Sequence, residues 1–143
     1  MKKQFVTYEI ALKLKELGFN EPCFSAYTES GNLMDIGDYS NDDKIGELEG
    51  HSHYISCTAP LYQQVTDWFR EKHNIHIEIE LTDNTMQFYY QYCIVDSKNR
   101  EHHDEDMIDQ ATRIYNYNEK FNTFYEAREQ AILKAIELCQ KEK

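Results

Sequence analysis

The sequence has few of the residues that interrupt a chain or assemble a recognisable reactive site. Only two prolines and five glycines occur among 143 residues, so long linkers without secondary structure are not expected. The four cysteines form no C-x-x-C pair, and this spacing excludes a zinc ribbon or a thioredoxin motif. No apolar run approaches the roughly 18–20 residues of a transmembrane helix, and the first residues lack the apolar core of a signal peptide. We therefore expect a cytoplasmic protein with reduced thiols and no membrane association.

Positive charge is also scarce. The chain carries 26 acidic residues against 15 basic ones, a formal net charge of −11. A surface of this sign repels the phosphate backbone, so direct nucleic-acid binding is not expected. The apolar fraction of 41% and the aromatic fraction of 13% are typical of a folded chain rather than a disordered one.

The pattern of apolar residues predicts three helices and an antiparallel hairpin. Thr7 can cap a first helix that ends at Gly18, and a second helix begins at Pro60. The third starts at the capping-box pair Thr123 and Glu126. Strict alternation over residues 75–95 is typical of two paired strands with one buried face. The predicted fold is α+β, an antiparallel sheet with about three helices packed on it, as one compact domain spanning residues 1–143.

Other segments give weaker patterns. Short strands are expected near residues 23–28 and 33–36, joined by a turn, and another within residues 51–58. Residues 107–117 fit a helix and a strand equally well, and the pattern leaves both open.

An acidic segment between two glycines resembles a calcium-binding loop. Asp38, Ser40, Asp42 and Glu49 occur at the spacing of oxygen ligands in a twelve-residue calcium loop. Asp43 stands where such loops need glycine, and neither flank has a helical pattern. The segment is thus a candidate metal site, with an ordinary acidic surface loop as the alternative.

Candidate catalytic groups are sparse. His51, His53 and Cys57 would share one face of a strand and offer donors that suit zinc, although solvated histidines are the simpler interpretation. His102 and His103 could likewise bind a metal ion, and solvated histidines are again the simpler interpretation. No nucleophile, phosphate-binding or dinucleotide-binding motif occurs, so the sequence predicts no cofactor and favours a non-enzymatic protein.

Tyrosine is abundant, with eleven residues in the chain. Its large, stiff ring and polar tip suit interaction surfaces. If Tyr90 points toward the core, Tyr89 lies on the outer face of its strand together with Gln87 and Gln91. These three residues are the predicted binding face.

Three helical segments together carry a resemblance. They are residues 5–19, residues 59–73 and residues 125–132, with the sequences FVTYEIALKLKELGF, APLYQQVTDWFREKH and YEAREQAI. The combination resembles uncharacterised small proteins encoded by phages and prophages of anaerobic gut bacteria. That family has no assigned activity, so the resemblance implies a fold and a mobile-element context and supplies no site residues.

Three hypotheses about function follow. The leading one is a non-enzymatic accessory protein of a phage or prophage that acts by binding a protein partner or by self-association. The second is an acidic mimic of DNA that inhibits a DNA-binding enzyme, which requires carboxylates arranged in rows. The third is a metal-dependent or small-molecule enzyme, which requires a pocket with convergent reactive groups.

Overall fold

A computed structural model describes residues 4–41, 55–84, 87–97 and 113–141. Within these ranges the chain forms three helices and five strands, and the strands make two antiparallel sheets. The predicted α+β class is confirmed, with the strands divided between two sheets instead of one. The elements in order are α1 (Tyr8–Leu17), β1 (Ala26–Thr28), β2 (Ile55–Thr58), α2 (Tyr62–His73), β3 (Ile75–Asn84), β4 (Gln87–Asp96), β5 (Arg113–Phe121) and α3 (Phe124–Lys141).

The chain divides into two compact units, residues 1–65 and residues 66–143. In the first unit, α1 begins and ends at the predicted residues. The Thr7 hydroxyl oxygen accepts a hydrogen bond from the Ile10 amide at 3.4 Å. Gly18 has a φ of 103°, and the Phe19 amide donates to the Leu14 carbonyl at 2.9 Å. A left-handed residue at this place lets the chain leave the helix while its last carbonyls stay paired.

The small sheet of the first unit pairs β1 with β2, and Tyr27 lies opposite Cys57. Tyr27 is buried, and its hydroxyl donates to the carbonyl of Val6. The predicted strand at residues 33–36 is reduced to one isolated bridge, between Tyr27 and Leu33, and a second bridge joins Cys23 to Tyr39 beyond the predicted hairpin. The ladder of β1 is made with β2, farther along the chain, and sequence alternation does not reveal that choice of partner.

Helix α2 begins at Tyr62, two residues after the predicted start at Pro60, and it ends in the second unit at His73. Asn74 follows its last residue with a φ of 53° and reverses the chain into β3. Trp68 is buried and lies edge-on to the rings of Phe69 and His73, with centroids 5.2 and 4.5 Å away. Trp68 therefore packs in the core of this unit.

The hairpin of β3 and β4 is continuous and antiparallel, from the pair Ile75–Asp96 to the pair Asn84–Gln87. This confirms the predicted hairpin. Strand β5 pairs with the other side of β4. The segment whose pattern left helix and strand open is therefore a strand from Arg113 onward, while residues 107–112 lie outside the described part of the chain.

Helix α3 starts at the predicted capping box. The Thr123 hydroxyl accepts a hydrogen bond from the Glu126 amide, and the Glu126 carboxylate accepts one from the Thr123 amide, both at 3.2 Å. The helix packs on all three strands of the second sheet. Its buried residues form one stripe of mostly small side chains: Ala127, Ala131, Ile132, Ala135, Ile136 and Cys139.

None of the helices in the described ranges combines the length and the apolar character needed to cross a bilayer. Helix α3 has 18 residues, but charged side chains occur along it, as in the ion pairs of Glu137 with Lys134 and Lys141.

Candidate interaction surface

The predicted binding residues lie together on the outer face of the three-stranded sheet, opposite the face that α3 covers. Gln87 is exposed, and Tyr89 and Gln91 are half-buried. The Thr82 hydroxyl on β3 lies 3.4 Å from the Gln91 side-chain oxygen. Lys120 on β5 places its ammonium 4.5 Å from the centre of the Tyr89 ring, a cation–π contact that covers part of that ring.

Strand β3 makes the outer face acidic. Glu78 and Glu80 are both exposed and lie two residues apart, so they project to the same side. Cys93 lies directly opposite Glu78. Partial burial raises the pKa of the Cys93 thiol, and the negative charges of Glu78 and Glu80 raise it further. The DNA-mimic hypothesis requires carboxylates arranged in rows. On the outer face of β3 the two carboxylates are followed by Thr82, and the hypothesis stays a prediction.

The inner face carries an exposed apolar surface at the turn end of the hairpin. Leu81 is 58% exposed and Phe88 is 72% exposed, although both have the parity of the core residues of their strands. We call this surface the aromatic patch and define it by five residues: Leu81, Phe88, Tyr90, Phe124 and Tyr125.

The members of the aromatic patch are linked by the strand register and by ring contacts. Leu81 lies directly opposite Tyr90. The Tyr90 ring meets the Phe124 ring edge-on at 6.1 Å, and Phe124 meets Tyr125 edge-on at 6.2 Å. The guanidinium carbon of Arg128 lies 5.3 Å from the centres of both α3 rings. The patch therefore spans two strands and the first turn of α3, with a cation at its border.

The exposure of the patch follows from how far α3 reaches along the hairpin. On the inner face of β4, Ile94 is fully buried and Tyr92 is 6% exposed, whereas Tyr90 is half-buried and Phe88 is exposed. Burial thus declines steadily toward the turn. Both strands of the hairpin have ten residues. Each extends beyond the part of the sheet that α3, with its narrow buried stripe of alanines, covers.

The first unit has two strongly exposed apolar side chains of its own, Phe24 at 62% and Ile36 at 68%. The Gly37 amide donates to the Phe24 carbonyl at 2.8 Å, so the two segments run side by side. No ring contact involves Phe24 among the aromatic contacts of the described residues, in contrast to the linked rings of the aromatic patch.

The predicted calcium-binding segment is described only at its start. Asp38 is exposed and Ser40 is half-buried. Tyr39, which lies between them, forms two backbone hydrogen bonds with Cys23, at 2.8 and 3.0 Å, as in an antiparallel bridge. The other two predicted ligands lie outside the described residues: Asp42 and Glu49. The calcium loop stays a prediction.

The four histidines considered as metal donors also lie outside the described residues: His51, His53, His102 and His103. Among the residues that the structure describes, no group of three or more histidine, cysteine, aspartate or glutamate side chains is arranged to hold a metal ion.

The cysteines of the first unit are core residues. Cys23 and Cys57 are 2% and 0% exposed. Burial raises the pKa of each thiol from its ordinary 9.0 to about 11. A catalytic thiol needs a lowered pKa, because the thiolate is the nucleophile. These two thiols have the opposite environment, which suits a packing role.

The sequence analysis did not predict the aromatic patch. It placed Phe88 and Tyr90 on the core side of the strand, which the register supports, and expected burial there. One feature of the sequence indicated it. The alternating apolar residues of β3 and β4 extend over a greater length than the buried stripe of α3, the helix that covers them. An excess of apolar strand residues over available cover is a sign of an interaction surface.

No protein-family model, no curated protein and no solved structure matches the chain.

Proposed function

We propose that this chain is a non-enzymatic accessory protein of a phage or prophage, acting in the cytoplasm by binding another protein through the aromatic patch. The resemblance of the three helical segments to phage and prophage proteins supports the mobile-element context. The exposed aromatic patch supports binding of another protein as the mode of action.

One observation carries the proposal: the aromatic patch leaves large apolar side chains exposed on the hairpin and on the first turn of α3. Large exposed apolar clusters are uncommon on monomeric proteins and mark interaction sites. Aromatic side chains beside an arginine have the composition of interface centres, where a few residues supply most of the binding free energy. Phe88, at 72% exposed, is the most exposed member of the patch.

The experiment that tests this proposal is site-specific photo-crosslinking of the full chain in the cells that produce it. A photoreactive phenylalanine analogue replaces Phe88, and in a matched control it replaces Phe24. Both are strongly exposed phenylalanines, but only Phe88 belongs to the patch. We expect one discrete crosslinked protein from position 88 and not from position 24.

A substitution completes the test. Phe88→Ala removes an exposed ring, so the circular dichroism spectrum should be unchanged while recovery of that partner falls at least about tenfold, as for an interface hot spot. Phe24→Ala should leave recovery unchanged. Equal crosslinking from both positions, or unchanged recovery with Phe88→Ala, would contradict a role of the patch.

A further inference from the structure

Strand β3 forms an edge of the second sheet. In the described part of the chain it pairs with β4 alone, in a sheet of order β3–β4–β5. Every second amide and carbonyl along its other side therefore points away from the sheet. Such a row is a template for a further strand.

This edge has few of the features that prevent strand addition. Natural edges are often short, or carry proline, lysine or a bulge. Strand β3 is ten residues long, its sequence IHIEIELTDN contains neither proline nor lysine, and its ladder with β4 has no register shift. The ladders β1–β2 and β4–β5 do have such irregularities. Strand β3 is thus the long, regular edge of the sheet.

The inner face of β3 is incompletely covered along this edge. Ile75 is fully buried, Ile77 and Ile79 are half-buried, and Leu81 is 58% exposed. Ile77 and Ile79 lie opposite β4 residues that are themselves buried. Their exposed surface therefore lies on the side away from β4, where an added strand would place its own side chains.

The outer face of the same edge is negative. Glu78 and Glu80 are exposed on it, and both contribute to the raised pKa of the neighbouring Cys93 thiol. A residue directly opposite either glutamate on an added strand would have its Cβ about 4.5–5.5 Å away, where opposite charges stabilise the pair and like charges destabilise it.

We propose that the open edge of β3 accepts an extended peptide segment as a fourth strand, and that this segment alternates basic residues, opposite Glu78 and Glu80, with apolar residues, opposite Ile77, Ile79 and Leu81. This inference rests on the proposed function, because it names the chemistry of the bound partner. Leu81 belongs to both surfaces, so the added strand would continue onto the aromatic patch.

Charge selects this occupant over a second copy of the chain. In a two-fold antiparallel pairing centred on Ile79, each Glu78 would lie opposite Glu80 of the other copy. Two such like-charge contacts disfavour that assembly, and the net charge of −11 disfavours it further. The same net charge attracts a cationic segment.

The test measures binding of a defined probe to the full chain. The probe is a capped peptide of roughly nine residues that alternates valine and lysine, long enough to pair along β3. Two control peptides replace lysine by glutamate, or carry an N-methyl group on every amide and so cannot donate ladder hydrogen bonds. We expect saturable binding of the first peptide alone, with amide chemical-shift changes centred on β3.

Matched variants separate local charge from net charge. Glu78→Lys with Glu80→Lys should weaken binding of the lysine peptide by about tenfold or more, as expected from reversing two cross-strand pairs, and should favour the glutamate peptide. Glu16→Lys with Glu71→Lys changes the net charge by the same amount at exposed positions on α1 and α2. This control should weaken binding far less.

Several outcomes would overturn the inference. They are equal weakening by both double variants, equal binding of the N-methylated peptide, shift changes away from β3, or dimerisation through β3 without peptide binding. Peptide binding that fails while Phe88 crosslinking succeeds rejects strand addition and leaves the proposed function standing. The reverse result rejects the aromatic patch and leaves β3 as a peptide-binding edge.

Discussion

At the scale of single residues, the two buried thiols of the first unit link packing to pH. Cys23 and Cys57 are held in the core, and desolvation is the largest cause of the raised pKa of each. The positive charge of Lys15 acts in the opposite direction on the pKa of Cys57 without cancelling the effect of burial. The folded state thus favours the neutral thiol.

We predict that the free energy of unfolding decreases as the pH rises from 9 to 11. Unfolded thiols ionise near their ordinary pKa of 9.0, whereas the folded thiols stay protonated until about pH 11. The unfolded state therefore binds fewer protons in this window, and stability falls with pH. Each thiol contributes up to ~2–3 kcal/mol to the fall, which urea unfolding at a series of pH values measures.

The control for this prediction is the variant Cys23→Ala with Cys57→Ala. It loses stability at every pH because two core side chains shrink. Its stability should nevertheless change less between pH 9 and 11 than that of the unsubstituted protein. Burial raises the pKa of Tyr27 in both proteins, and only the smaller effect of Cys57 on that pKa is lost in the variant. Parallel pH profiles would show that the thiols do not cause the decrease.

At the scale of elements, α3 supplies the cover for the three-stranded sheet and the first turn of the aromatic patch. Its start is defined by the reciprocal hydrogen bonds of Thr123 and Glu126. Its buried alanines let the helix axis approach the strands closely. Any fraying at this end would displace Phe124 and Tyr125, so the cap supports the candidate interaction surface as well as the helix.

We predict that Thr123→Ala lowers the free energy of unfolding by about 1 kcal/mol, because an amide of the first turn loses its acceptor. Thr123→Ser keeps the oxygen and should cost much less. Asn122→Ala, at the exposed position just before the cap, is the matched control. Urea unfolding followed by circular dichroism provides the measurement, and an equal loss from Asn122→Ala would argue against the capping box.

At the scale of the whole molecule, the excess of acidic residues governs association. The net charge is −11 at neutral pH and the calculated isoelectric point is about 4.9. Repulsion between copies should keep the protein dispersed at neutral pH in spite of the exposed aromatic patch and the open edge of β3.

We predict reversible association as the pH is lowered toward 4.9, since the net repulsion between copies disappears there. The like charges of Glu78 and Glu80 additionally oppose pairing of two β3 edges. Light scattering across this range measures the association. Glu78→Gln with Glu80→Gln should associate at a higher pH than Glu16→Gln with Glu71→Gln. Identical onsets would mean that net charge alone controls association.

Features that depend on neighbouring residues in the chain were predictable. The caps at Thr7, Gly18 and Thr123 use side chains or backbone within four residues of the helix end, so their chemistry is visible in the sequence. The presence of the β3–β4 hairpin was predictable for a similar reason, because the alternation of apolar and polar residues over residues 75–95 is visible in the sequence. The outer-face position of Tyr89 followed from that alternation.

Features that depend on distant partners were not predictable in this way. Residues from Arg113 onward are a strand because β4 offers an edge, and their local pattern alone fits a helix equally well. Likewise, β1 pairs with β2 across a long separation in sequence.

The sequence by itself determined both ends of α1, the start of α3, the alternating faces of the hairpin and the acidic character of the chain, because these depend on local hydrogen bonds, periodicity and composition. Tertiary structure alone decided that Leu81 and Phe88 are exposed and that, among the described residues, β3 pairs with β4 only. The physical reason is that burial depends on which element covers a face and how far it extends, and only the packing of α3 on the sheet settles that.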